Sequence, residues 1–292
     1  MGRRALLARA RLLRDIRRFF DRRGFVEVDP PVRVAAPAPE AWIDPIPVPR
    51  GALRTSPELQ MKRLVAAGHR LLYALGPVFR SGERGPRHAE EFTMLEWYRA
   101  RADYRAIMTD CEALLRFVSR RKSLKVGHAR VRLSGRFERR PVVDALEAVG
   151  VDARSASDEA YSEAMGLRVE PTLGLGRPTF LVDYPLSQDA LARPSPKDPT
   201  LVERFELYVA GLELANGWSE LVDPAEQRAR FERDRERRRM LGKTVFPLDE
   251  AFLADLGHCP PCAGVALGVD RLLMVLLGAQ DIAEVRLFPD PT

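Results

Sequence analysis

The sequence predicts an α+β fold, an antiparallel β-sheet flanked by helices. Apolar residues make up 46% and charged residues 30% of its 292 positions, so a packed core is expected rather than disorder. Strand-like runs come in pairs, at 71–80 with 91–98 and again within 204–222. Helical spacing of apolar residues surrounds them.

Residues 5–23 place Leu6, Leu7, Leu12, Leu13, Ile16, Phe19 and Phe20 at helical intervals, and Gly24 stops that helix. FVEVDPPV follows as a short strand closed by Pro30 and Pro31, and the proline-rich 35–50 reads as loop. Ser56 is an N-cap candidate with Pro57 at the first helical position, giving a helix over 57–67. The strands 71–80 and 91–98 enclose the charged SGERGPRHAEE, and a helix covers 103–120. Residues 121–178 carry no sharp motif and read as a helical insertion within one domain spanning 1–292. PTFLVDYP at 178–185 is a strand, 186–203 a loop, and 225–242 a charged helix whose arginines are expected to face solvent. Residues 264–277 read strand, glycine turn, helix.

Lys and Arg number 47 against 41 Asp and Glu, a net charge of +6. This balance favours anionic partners, or reflects arginine-rich usage alone. Three cysteines exclude a disulfide scaffold. Cys259 and Cys262 form a CPPC without a second metal-binding pair, so neither zinc nor redox chemistry is expected. No apolar run reaches the ~18 residues of a membrane span, and the arginine-rich start lacks an apolar signal core. The expectation is a cytoplasmic protein without membrane contact.

Within RFELYVAGLELANGWSEL, Asn216-Gly217 is the favoured type I′ hairpin dipeptide. A turn there would set Glu213 opposite Glu220, roughly 5 Å apart at Cβ, a repulsive pair that a metal ion or a substrate ammonium would relieve. Glu206 then falls on the other face unless a bulge, marked by Gly211, restores the parity. GVALGVDRLLM brings Gly264 and Gly268 before a helix that starts with Arg271, a pattern that suits an anion or simply a tight packing turn. Arg80 and Phe92 end and begin the two strands of the charged hairpin, offering a guanidinium to a phosphate and a ring face to a base. Glu58, in the first turn after Ser56-Pro57, either serves a substrate ammonium or completes a helix cap.

Three separated signatures now agree in order. They are a helix–strand–proline element ending at Pro31, a hairpin that begins FR and returns through EFTMLEWY, and a Gly-rich strand–helix ending GVDRL. This order resembles motifs 1, 2 and 3 of the class II aminoacyl-tRNA synthetases. TSPELQMKRLVAAG, PTFLVDYP, RFELYVAGLELANGWSELVDP and GVALGVDRL are similar to the lysyl-tRNA synthetase catalytic domain. The likeness covers nearly all of the chain outside 121–178. SPE, MKRL and PPCAGVALG resemble, more narrowly, the paralogous elongation factor P–(R)-β-lysine ligases. Ala266 stands where the synthetases carry the middle glycine of G-x-G-x-G, and its extra methyl would reshape the amino-acid pocket toward a shifted amino group. With the motif 1 helix starting near residue 5, the family's N-terminal anticodon-binding domain is expected to be absent, an expectation that speaks against tRNA.

The resemblance implies activation of (R)-β-lysine or lysine by ATP, with Mg²⁺, and transfer to one lysine of elongation factor P. Arg80 and Arg271 would be catalytic. Ser81, Gly82, Glu83, His88, Ala89, Phe92, Glu213, Leu214 and Gly268 would join them around ATP, with adenine between Phe92 and Arg271. Glu206 and Glu213 would hold the metal. Ser56, Pro57, Glu58, Glu96, Tyr98, Asn216 and Glu220 would bind the amino acid. Two departures bear on ATP affinity: Gly82 occupies the glutamate position of F-R-x-E, and Ala89 the asparagine after the loop histidine. A homodimer is implied, with Leu12, Leu13, Ile16 and Phe19 packing partly against the second chain. The rival readings are a minimal lysyl-tRNA synthetase and a non-catalytic regulatory paralogue.

Overall fold

The structure is a computed structural model that describes residues 2–188 and 191–288. Asp189 and Ala190, inside the segment expected as loop, lie outside the described residues. The chain runs α1 (Arg3–Asp21), β1 (Val26–Glu27), β2 (Arg33–Val34), β3 (Pro47–Val48), β4 (Gly51–Leu53), α2 (Glu58–Ala66), β5 (Leu71–Phe79), β6 (Glu91–Ala100) and α3 (Tyr104–Ser119). Next come β7 (Ser123–Val126), β8 (Ala129–Arg132), β9 (Glu138–Pro141), α4 (Val142–Glu147), α5 (Asp158–Ala164) and β10 (Thr179–Pro185). The last part holds β11 (Leu201–Val209), β12 (Leu212–Ser219), α6 (Pro224–Met240), α7 (Glu250–Leu256), β13 (Cys262–Gly268) and α8 (Val269–Leu277).

Eight strands form one sheet in the order β1-β5-β6-β13-β12-β11-β10-β9. Its interior pairs are antiparallel, and only the edge pairs β1–β5 and β9–β10 are parallel. Period-two alternation gives the sheet two unlike faces. Leu95, Trp97, Phe205, Leu207, Val265 and Leu267 point to one side, into a core shared with Ile16, Phe19 and Phe20 of α1. Phe20 stacks on Tyr73 at 4.7 Å and tilts against Trp97 at 5.3 Å, contacts worth about 1 kcal/mol each beyond burial. The opposite face carries Phe92, Met94, Glu96, Asn216, Gly264 and Ala266, and it lines a cavity. A clamp joins α1 to α8 and to β6. Arg9 Nη1 donates to Asp270 Oδ1 at 2.6 Å, and Thr93 N donates to Asp270 Oδ2 at 2.8 Å.

Several expectations change. The hairpin turn is not at Asn216-Gly217. β11 and β12 meet through a two-residue loop, Ala210-Gly211, with both φ angles positive at 54° and 71° as type I′ demands. Ala210 N and Gly211 N donate to Gly174 O and Leu173 O, so tertiary bonds hold the turn there. Asn216 and Gly217 lie inside β12, paired on both sides with Glu206 and Ala266, and with Phe205 and Val265. Gly217 serves close packing: a Cβ would fall 2.7 Å from Gly264 O. Glu213 therefore opposes Tyr208 rather than Glu220.

The 121–178 segment is not purely helical; it supplies the β7–β8 hairpin and the edge strand β9. The 35–50 loop contains β3 and borders β4 in a small three-stranded sheet with β2. Leu12, Ile16 and Phe19 are buried in the chain's own core and are not free to meet a second chain. The large apolar side chains that α1 leaves outward are Leu6 and Leu7, 45% and 57% exposed. The arginines of α6 do not all face solvent: Arg230 and Arg238 are buried. Arg238 donates to Glu40 O, Ile43 O and Thr244 O and pairs with Asp44 at 2.8 Å, pinning the 40–44 segment beside the cavity.

Candidate active site

The cavity, of about 1070 Å³, lies over the polar face of the sheet. Each strand contributes alternate residues: Phe92, Met94, Glu96 and Tyr98 from β6, and Gly264, Ala266 and Gly268 from β13. Asn216 and Trp218 come from β12, and Arg204 and Glu206 from β11. Of the sequence-predicted residues, Ser56, Glu58, Arg80, Glu83, His88, Ala89, Phe92, Glu96, Tyr98, Glu206, Glu213, Leu214, Asn216, Gly268 and Arg271 line it. Pro57, Ser81 and Gly82 do not, and Glu220 lies behind the wall with no exposed side-chain surface.

One end is acidic. Ser56 Oγ donates to Glu96 Oε2 at 2.7 Å and accepts from Glu58 N at 3.0 Å. The helix starts at Glu58 with Pro57, not Ser56, at its N-cap, because Ser56 spends its hydroxyl proton on Glu96 one position before the cap. Tyr98 donates to Glu96 Oε1 at 2.8 Å. Burial, and then the Glu58 charge, push Glu96 up to about 8. The sequence reasoning missed the cation of this cluster, Lys62. Its Nζ lies 2.7 Å from Glu220 and 3.0 Å from Glu58. Burial alone would lower this ammonium's pKa, but Glu220 and Glu58 outweigh it and raise it. Glu220 also accepts from Trp218 Nε1 at 2.8 Å, and burial pushes it up to about 8 against the pull of Lys62. Its other oxygen, Oε1, is buried without a hydrogen-bond partner. Gly264 is the floor here, since a Cβ would sit 2.4 Å from Tyr98 Cε1 and 2.8 Å from Glu220 Oε1. Ala266 pairs across to both Glu96 and Asn216, so on the cavity face it stands between those two residues.

The other end is cationic. Arg271 is held in place, donating to Arg87 O, Glu213 O and Glu213 Oε2, all at 3.1 Å. Its Nη2 meets His88 Nε2 at 2.7 Å, which requires that nitrogen to be the acceptor. Burial and then Arg271 lower the His88 pKa, keeping the ring neutral. The Arg80 guanidinium lies 5.3 Å from the Phe92 ring centroid and 3.7 Å from Glu83. The motif 2 shift has a backbone cause. Gly82 takes φ +78° and donates its N–H to Glu90 at 2.8 Å, turning the chain so that Glu83 faces the cavity.

Glu206 and Glu213 share this side because Leu214 is an extra residue: Leu207 pairs with Ala215 but Tyr208 with Glu213. The parity is restored by a bulge at Leu214, not at Gly211, which sits in the turn. Glu206 accepts from Arg204 and Tyr208, both at 2.6 Å, and burial raises its pKa. A third carboxylate was missed, Glu170, on a short turn of the motif-free segment. Burial, then Glu206 and Glu213, push it up to about 7. Among the described residues no group of three His, Cys, Asp or Glu has the arrangement to hold a metal ion alone. Two carboxylates completed by phosphate oxygens are the usual magnesium set. Glu170, Glu206 and Glu213 repel one another, a repulsion that Arg204 and Arg271 relieve in part, and such a cluster fits a cation. Cys259 and Cys262 are buried thiols with sulfurs 3.7 Å apart.

Residues 2–292 match the family described as tRNA synthetases class II (D, K and N). The chain belongs to this class II family. Within it, the chain is 40% identical to the elongation factor P–(R)-β-lysine ligase of Vibrio cholerae, over 98% of this chain and 95% of that protein. It is 41% identical to the proteins of the same name from Proteus mirabilis and Edwardsiella ictaluri, over 97% of this chain and 94% of each. The sheet is thus that of a class II catalytic domain, a family of ATP-dependent amino-acid ligases. Among the described residues no helix is long and apolar enough to cross a membrane.

Proposed function

We propose that this chain is an ATP-dependent ligase that activates (R)-β-lysine as its adenylate and transfers it to the ε-amine of one lysine of elongation factor P. One observation carries the reading. A single cavity has a carboxylate end, with Glu58 and Glu96 on its wall and Glu220 behind it, and an arginine end built on Arg80 and Arg271. The first end suits a diamino acid's ammonium, the second a triphosphate. The relatives named for this reaction align over nearly the full chain.

In the first step a carboxylate oxygen of the amino acid bonds to the α-phosphorus, the bond to the β-phosphate breaks, and pyrophosphate leaves. Arg80 and Arg271 stabilise the charge that builds on the phosphate oxygens. Arg271 is already oriented by carbonyls and Glu213, so little reorganisation is required. Phe92 offers adenine a ring face, with Gly268, Ser81, Gly82, Ala89 and Leu214 shaping the walls and backbone around it. Glu206 and Glu213 would hold Mg²⁺, which neutralises phosphate charge when bound. In the second step a deprotonated lysine amine attacks the mixed anhydride. The new C–N bond forms, the C–O bond to phosphate breaks, and AMP leaves. Glu220 Oε1, lacking a partner, is the natural acceptor for a substrate N–H once Gly264 gives it access. We read residues 1–292 as one catalytic unit in the cytoplasm, with Leu6, Leu7 and Val26 as the apolar surface of a homodimer.

ATP–pyrophosphate exchange with (R)-β-lysine and with α-lysine, followed by label transfer to elongation factor P or tRNA, tests the proposal. Exchange favouring (R)-β-lysine and label on the protein are expected. Label on tRNA alone, or no exchange with any lysine isomer, overturns it.

A further inference from the structure

The chemistry at the anhydride cannot tell one lysine from another, because every ε-amine is alike. Selection of a single acceptor lysine must come from a surface outside the cavity. The sequence 121–137 holds six basic residues, Arg121, Lys122, Lys125, Arg130, Arg132 and Arg136, and no acid. All six are exposed. No acidic side chain pairs with any of them among the described residues.

Their placement is costly to the chain itself. β7 and β8 set Lys125 directly opposite Arg130, while Leu124 and Val131 between them turn to the core. Like charges directly opposed on one sheet face destabilise a hairpin unless an anion intervenes. Lys122, Arg130 and Arg132 also line a shallow concavity with Ser123, Ser134 and Gly176.

The hairpin is coupled in space to the cavity mouth. A Cβ on Gly278 would meet Lys125 O at 2.9 Å, and one on Gly127 would meet Gln280 Nε2 at 3.3 Å, so the hairpin abuts the end of α8. From there the chain returns to the site: Ile282 N donates to Pro86 O at 2.8 Å, and Ile282 lines the cavity. A partner resting on the hairpin therefore sits beside the loop that borders the ATP end.

We propose that the outer face of β7–β8 docks an acidic surface of the acceptor protein, an inference that rests on the protein-ligase reading above. Protein is favoured over nucleic acid because the relatives that align over nearly the full chain are named for elongation factor P. The test is the triple variant Lys125→Glu/Arg130→Glu/Arg132→Glu, assayed with elongation factor P. Amino-acid-dependent pyrophosphate exchange is expected to stay within about twofold, while the KM for elongation factor P rises at least about tenfold with kcat retained. Wild-type KM should rise with added salt and the variant should lose that dependence. Unchanged transfer by the triple variant overturns the docking surface alone. Wild-type enzyme that activates the amino acid yet never labels elongation factor P sinks the ligase reading and the docking with it. Tighter binding of tRNA than of elongation factor P, lost in the variant, overturns the choice of partner. If the triple variant also loses exchange, Lys125→Gln/Arg130→Gln is titrated calorimetrically with elongation factor P, and unchanged affinity there overturns the proposal.

Discussion

Lys62 Nζ lies 2.7 Å from Glu220, and neither side chain exposes any surface. The same ammonium reaches Glu58 at 3.0 Å, so one internal cation holds two carboxylates behind the amino-acid end of the cavity. Removing the cation alone leaves uncompensated buried charge. Lys62→Met is expected to lower the unfolding free energy by about 3–5 kcal/mol, measured by urea denaturation. The double variant Lys62→Met/Glu220→Gln should recover part of that loss. A single variant as stable as wild type would mean that the triad carries no structural burden.

The acidic end also sets a pH dependence. Burial and then the Glu58 charge push Glu96 up to about 8, so it is largely protonated in the empty protein at neutral pH. A substrate ammonium favours its ionised form. The amino-acid KM in pyrophosphate exchange should therefore fall as pH rises toward 8, by as much as about tenfold per unit well below that value. The stability sign is opposite. A carboxylate raised in the folded state stabilises most below its ordinary value of 4.5 and loses that contribution as pH rises through 8. Substrate-free protein should thus lose Tm over this window, and bound amino acid should restore it. A pH-independent KM would contradict the assignment of Glu96.

Ala266 pairs with Glu96 on one side and Asn216 on the other. Ala266→Gly opens one methyl of space there. The ratio of exchange rates for (R)-β-lysine over α-lysine should fall about tenfold or more, within the usual discrimination by one methyl group. An unchanged ratio would show that isomer choice resides elsewhere.

Gly82 holds φ +78°, and Glu83 presents its carboxylate to the cavity. Gly82→Glu, which restores the side chain of F-R-x-E, should lower stability by about 1–2 kcal/mol through the left-handed backbone and leave the KM for ATP no better. Glu83→Ala should raise the KM for ATP severalfold. Improved ATP binding by Gly82→Glu would overturn this account of the shift.

The sheet face that forms the site was legible because alternation is a local property. Phe92, Glu96 and Tyr98 fall on one side by count alone. The motif glycines were legible as close-approach positions, and Gly264 is one, wedged against Tyr98. The turn was misread because Asn-Gly states a local preference that two neighbouring strands override. Lys62 was invisible for a different reason. MKRL reads as an amphipathic helix face, and only the fold brings Glu220, 158 positions later, to its ammonium. Buried arginines in α6 were hidden by their neighbours, since a run of charges looks solvated whichever members turn inward. Glu170 lay in a segment without periodicity, and nothing local marked it.

The extra residue at Leu214 has a wider meaning. It puts Glu213 on the cavity side with Glu206, and it does so by position in the count, not by chemical identity. If Leu214 paired with Tyr208 in regular register instead, Glu213 would fall opposite Val209 and turn into the core beside Leu207 and Leu212, with every functional side chain still present in the sequence. At this strand the site thus depends on where the count slips as much as on which residues are present.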